Sequence, residues 1–159
     1  MAKLANPDRR RSTNGGYPPI ESAGYLVRDA HRAFQRLLER RIAPLGVTRG
    51  QWYFLRVLWN EDGLSQRELS ARVGTMEPTT VVALRTMEKS GLIRRIRVPG
   101  DRRKAEVRLT VKAKRLRYRL LPIARAISEQ AAADIPPGEL EVFRRVISRM
   151  TANLDRMAK

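Results

Sequence analysis

Apolar residues recur at helical spacing along most of this chain, and one short stretch abandons that period for alternation. Between Ser22 and Ile42, the residues Leu26, Ala30, Ala33, Phe34, Leu37 and Leu38 share a helical face. Pro44 and Gly46 end the pattern. Thr48 is placed to cap a second helix, about residues 49–60, with Trp52, Leu55 and Leu58 turned inward. Glu61-Asp62-Gly63 reads as a turn. Ser65-Gln66-Arg67-Glu68 is a capping box, in which the serine oxygen takes an orphan backbone N–H and Glu68 reaches back. The helix it opens is short and stops near Val73-Gly74. The next begins at Glu77-Pro78, with proline in the first turn, where its missing N–H is harmless. It runs through Val81, Val82, Leu84 and Met87 to Ser90, with Gly91 as a left-handed cap.

The period then changes. Leu92 to Val98 reads as a strand, residues 99–104 as a polar turn, and residues 105–109 as a half-buried return strand. Helices over about 111–133 and 138–157 follow, separated by Pro136-Pro137-Gly138. Pro122 should kink the first of these without ending it, because the apolar pattern resumes at Ile123, Ala126 and Ile127. Residues 1–19 contain three prolines, an adjacent glycine pair and the triplet Arg9-Arg10-Arg11, and read as a flexible basic arm. The expected fold class is mainly α with a small β wing.

Charge narrows the function. The 159 residues suffice for one domain with its own core. Against 16 acidic residues stand 33 Lys and Arg, a formal charge of +17. Such a charge calls for a polyanion, nucleic acid ahead of an anionic membrane surface. Fourteen of the basic residues lie between Arg85 and Arg119, against three acids. They bracket a helix end, two strands and a turn, as a footprint for phosphates would. The absence of cysteine excludes disulfides, thiolate metal sites and a thiol switch. A single histidine, His31, leaves too few ligands for structural zinc, and no cofactor is implied. No apolar run approaches the roughly 20 residues of a membrane span, and no secretory signal follows the amino-terminal arginines. The layout is that of a cytoplasmic bacterial protein without a membrane partner. No Gly-rich phosphate loop, nucleophile elbow or carboxylate pair suggests an enzyme.

The helices at 65–73 and 77–90 are joined only by Gly74-Thr75-Met76, which is helix-turn-helix spacing. In such a unit the second helix enters the major groove with its amino-terminal residues against base edges. Glu77, Thr79, Thr80 and Arg85 are therefore candidate DNA contacts, while positions 81, 84 and 87 face the core. Ser65 and Gln66, opening the first helix, are further candidates. The basic turn forms a wing whose Arg102, Arg103 and Lys104 can reach a narrow minor groove. Asp101 would repel phosphate, so it is expected to pair with Arg103 and aim the guanidinium.

Residues from about 48 to 115 resemble the MarR family of bacterial transcriptional regulators. The likeness begins at Thr48-Arg49-Gly50-Gln51-Trp52 and passes through Ser65-Gln66-Arg67-Glu68-Leu69 to Leu84-Arg85-Thr86-Met87-Glu88-Lys89-Ser90-Gly91-Leu92-Ile93-Arg94-Arg95. Its most specific part is Pro99-Gly100-Asp101-Arg102-Arg103 followed by Val107-Arg108-Leu109-Thr110. The resemblance makes Arg103 the minor-groove arginine and Asp101 its orienter, in the family's Asp-x-Arg wing signature. It implies one domain over 20–159, with a winged helix-turn-helix at 48–110. Helices at 22–46 and 111–157 would join two copies into a homodimer. The stripe Leu140, Val142, Phe143, Val146, Ile147, Met150 and Leu154 suits that interface and would equally suit a monomer core.

Many proteins of this kind are repressors released by small aromatic anions bound between the dimerisation helices and the DNA-binding lobe. The corresponding region here holds Tyr25, Arg28, His31, Trp52, Tyr53 and Arg56, which suits an aromatic acid or an acyl thioester. The expected function is sequence-specific binding of double-stranded DNA at a pseudo-palindromic operator, as a repressor. The competing reading is a nucleoid-type architectural DNA binder with little sequence choice. That protein would share the charge but would not need polar side chains opening a groove helix.

Overall fold

A computed structural model describes residues 22–98 and 101–158, with the backbone alone at residues 98 and 101–104. The expected arm, residues 1–19, lies outside the described residues. Six α-helices occupy the described chain: α1 (Ala23–Ile42), α2 (Arg49–Asn60), α3 (Gln66–Val73), α4 (Glu77–Lys89), α5 (Val111–Ala131) and α6 (Pro137–Met157). Three strands, β1 (Leu64–Ser65), β2 (Ile93–Val98) and β3 (Asp101–Leu109), form one antiparallel sheet in the order β1-β3-β2. The chain is thus mainly helical with a small β wing. It divides into two compact units, one ending at Ala33 and the other starting at Phe34, so the division falls inside α1.

In the first unit, the Tyr25 N–H donates to the Ser22 hydroxyl at 3.3 Å and helps start α1. The second unit contains the core. There α2 begins with a reciprocal box, Thr48 accepting from the Gln51 N–H while the Gln51 side chain accepts from the Thr48 N–H. Its Trp52, Phe54, Leu55, Leu58 and Trp59 are buried against Leu69, Leu84, Met87 and Ile93, with Leu116 and Leu120 of α5. Trp52 and Trp59 meet edge to face, 5.8 Å between centroids, a favoured aromatic geometry. The buried Trp59 indole N–H donates to the Ala113 carbonyl at 2.9 Å, fastening α2 to the first turn of α5. Thr110 caps α5 by accepting from the Ala113 N–H, and its own hydroxyl donates to the Gly91 carbonyl at 2.7 Å. Pro122 lies inside α5, and the helix continues through it.

Two features of the sheet differ from the sequence expectation. β1 was not anticipated: two residues are too few to display a period. It pairs Leu64 with Val107 and Ser65 with Glu106. The expected turn over 99–104 is also shorter, because β3 already begins at Asp101. Arg97 pairs with Ala105 and the next residue, Val98, with Asp101, so the register shifts and residues 102–104 are extra on β3. The strand thus continues through a polar run that composition alone reads as a turn.

The remaining long helix stands apart. Among the described residues, α6 buries none of its own. Val142, Phe143, Val146 and Leu154 are all exposed, so its apolar stripe is not core within a single chain.

Candidate nucleic-acid interface

The α3–α4 pair is built around hydroxyl groups. Ser65 closes its capping box as expected: its oxygen accepts from the Glu68 N–H at 3.2 Å, and the Glu68 carboxylate accepts from the Ser65 N–H at 2.8 Å. The Ser65 hydroxyl also donates to Glu68 at 2.6 Å, so this candidate DNA contact is engaged in starting α3. Gln66, the first residue of α3, is half-buried. At the other end of α3, Gly74 turns the chain at φ 73°, a left-handed conformation that glycine adopts without a Cβ penalty. The Gly74 and Thr75 N–H groups both donate to the Ser70 carbonyl, at 3.0 and 3.1 Å. The buried Ser70 hydroxyl donates to the Thr75 carbonyl at 2.6 Å.

Thr80 completes this lock. Its hydroxyl lies 2.9 Å from that of Thr75 and donates to the Met76 carbonyl at 3.3 Å. Thr80 is 0% exposed. Its expected place on the DNA-facing surface is therefore corrected: it pins the turn from inside, in line with Leu84 and Met87.

The outer face of α4 is formed by Thr79, Val82, Arg85, Thr86 and Lys89, spaced three and four residues apart, with Glu77 and Pro78 exposed at its start. Glu77 sits in the first turn, where a carboxylate complements the helix dipole. Thr79 and Arg85 were expected here. Val82, Thr86 and Lys89 share the face, each reached from Thr79 by helical spacing.

Two groups stand out within the basic run from Arg85 to Arg119. Arg108 donates from Nε and Nη2 to Glu106 at 2.9 and 2.6 Å, and Arg95 pairs with Glu88 at 3.7 Å. Lys112 donates to the Ser90 carbonyl at 2.9 Å, Lys114 pairs with Asp62 at 3.4 Å, and Arg117 donates to the Trp59 carbonyl at 3.2 Å. These cations are engaged by acids or backbone carbonyls of the same chain. Arg85, Lys89, Arg94 and Arg97 are exposed and have no acidic partner among the described residues. They run from the face of α4 onto the hairpin stem. The side chains of Asp101, Arg102, Arg103 and Lys104 lie outside the described residues, and so does the expected Asp101–Arg103 pair.

The candidate ligand residues fall in both units. In the first, the Arg28 guanidinium stacks over the Tyr25 ring at 4.2 Å, and His31 is exposed. In the second, Tyr53 and Arg56 line a cleft of about 370 Å³ with Val57, Asn60, Arg72 and Val73. Trp52 does not line it: at 2% exposed it is a core residue, which corrects its place among the ligand walls. Arg72, which pairs with Glu61, was not among the sequence candidates. The hydrogen bond to Glu61 holds its pKa above the ordinary arginine value. Tyr53 accepts from the Gln35 side-chain amide at 3.1 Å, which fixes the phenol at that end of the cleft.

The MarR family profile matches residues 47–105. The HTH-type transcriptional repressor NicR of Pseudomonas putida is 26% identical over 150 residues, which cover 94% of this chain and 95% of NicR. The crystal structure of the transcriptional regulator PA3341 is 33% identical, with a TM-score of 0.73 over 84% of this chain and 98% of its own. MepR of S. aureus, solved in complex with DNA, has the same fold at 21% identity, with a TM-score of 0.77 over 83% of this chain and 98% of its own.

Proposed function

This chain belongs to the MarR family of DNA-binding transcriptional regulators, and on that premise we propose that it represses as a homodimer on a pseudo-palindromic operator and is released by a small organic anion. The observation that carries the DNA reading is α4. It is exposed along one face, locked by buried hydroxyls on the other, and set beside a hairpin stem where Arg94 and Arg97 are exposed with no acidic partner among the described residues. An α-helix fits the major groove of B-DNA, and helix-turn-helix proteins dock their second helix there. Arg85 then reads guanine, and Lys89, Arg94 and Arg97 neutralise phosphates. The wing, with Arg103 aimed by Asp101, enters the minor groove.

The dimer reading is supported by α6, whose exposed apolar stripe asks for a partner surface, and a second copy supplies one. Repression is supported by the likeness to NicR, itself named a repressor. The effector reading is supported by the cleft of Tyr53, Arg56 and Arg72, a phenol with two guanidiniums, which matches an aromatic carboxylate or thioester. The effector acts by favouring a dimer geometry whose α4 helices no longer match the groove spacing.

Selection of duplexes from a random pool by the full-length protein, followed by footprinting, tests the reading. One short palindrome is expected, with half-sites about one helical turn, roughly 34–36 Å, apart. Uniform binding across random DNA would favour the architectural alternative. For the effector, aromatic acids and their thioesters should raise the Tm of the protein but not of Arg56→Ala.

A further inference from the structure

The middle of the α4 face is apolar. Val82 is 64% exposed there, with Arg85 three residues on and Thr86 one turn on. Thr86 donates its hydroxyl to the Val82 carbonyl at 3.0 Å, which commits that hydrogen to the helix and leaves the methyl as the apolar end of an exposed side chain. One helical turn thus presents an isopropyl group and a methyl group side by side, between the cation of Arg85 and the hydroxyl of Thr79. A lone exposed valine needs no explanation on most surfaces. At this place it does, because a helix in the major groove removes its central face from water and sets it against base edges. Of the groups displayed in that groove, the four bases offer donors and acceptors, and only thymine adds an apolar one, its C5-methyl. Phosphates cannot satisfy Val82, and a cytosine or guanine edge would leave it against polar atoms.

We infer that α4 reads a thymine in each half-site through its C5-methyl, with Val82 as the contact and the Thr86 methyl beside it. The inference rests on the DNA-binding reading above and names the base that reading leaves open. Val82 and Arg85 differ by about 4.5 Å along the helix axis, against a base-pair rise of about 3.4 Å. With α4 lying along the groove, the guanine read by Arg85 falls within a few base pairs of the thymine.

The test uses the full-length protein and the duplex it selects, with each thymine replaced in turn by deoxyuridine, which removes only the methyl. At one thymine per half-site, the replacement should weaken binding by about fourfold, the effect of burying one methyl group. The same replacement should change binding by Val82→Ala little, and its effect on Thr86→Ser, which keeps the hydroxyl, should be intermediate. Both sites are exposed, and unchanged thermal melting of the variants shows that the fold is not at issue. Equal sensitivity of the wild type and Val82→Ala at every thymine overturns the methyl contact while leaving DNA binding standing. Failure to select any sequence overturns the sequence-specific reading of DNA, and this inference with it.

Discussion

Gly63 meets two demands at once. Its φ of 87° lies where an L side chain is strained, and a Cβ built on it would stand 2.6 Å from the Arg108 guanidinium carbon. The guanidinium is the end of a flexible side chain and can swing away, but doing so breaks its fork onto Glu106. The backbone strain cannot be relieved that way. Gly63→Ala should therefore lower stability by about 1–2 kcal/mol, read as a fall in the urea midpoint at unchanged slope. Gly63→Ala combined with Arg108→Ala should still show most of that loss. The residue scale is also where sequence reasoning separates neighbours least well. Thr79 and Thr80 are the same residue type, one facing outward and the other fully buried. The information was present: Thr80, Leu84 and Met87 follow the spacing of a core stripe. A hydroxyl in an apolar period looks like an interruption until its partners, Thr75 and the Met76 carbonyl, are seen.

At the scale of elements, legibility follows length and locality. The helices were readable because each repeats its period for two turns or more, and two of them open on a cap visible in the sequence, at Thr48 and Ser65. β1 was hidden because pairing with a distant segment decides it, and the start of β3 because a register shift against β2 extends a run whose composition reads as a turn. Arg72 was hidden for a related reason: it joins Tyr53 and Arg56 only after α3 packs beside α2. The same division by element separates two kinds of proposed DNA contact. Arg85 lies on the face of α4, and Arg94 on the stem of the hairpin, both exposed. Arg85→Ala should weaken the selected operator by about 1–3 kcal/mol and relax its preference at one base pair per half-site. Arg94→Ala should weaken all sequences alike and make the salt slope shallower by about one for each phosphate left without its cation. Competition binding against singly substituted operators, repeated across a salt series, checks both. Unaltered base preference in Arg85→Ala would remove α4 from the reading surface.

For the whole molecule, charge and apolar surface pull association in opposite directions. Each chain carries +17, so two copies repel one another at low ionic strength. The force that can oppose this is burial of the α6 stripe, where Phe143 is 60% and Leu154 62% exposed in the single chain. Screening weakens the repulsion and leaves the apolar contact in place, whereas it weakens phosphate contacts directly. Raising salt from about 0.05 to 0.5 M should therefore tighten the dimer while loosening its hold on DNA. Sedimentation equilibrium and operator titration on the same preparation would show the two constants moving apart. Phe143→Asp sharpens the test, because a carboxylate buried in an apolar interface without a partner carries a penalty of several kcal/mol. That variant should sediment as a monomer at every salt concentration. It should bind a single half-site nearly as well as the wild-type chain does and lose the added affinity of the palindrome. If Phe143→Asp remained dimeric, with wild-type affinity for the palindrome, the subunits would have to meet through a surface other than the α6 stripe.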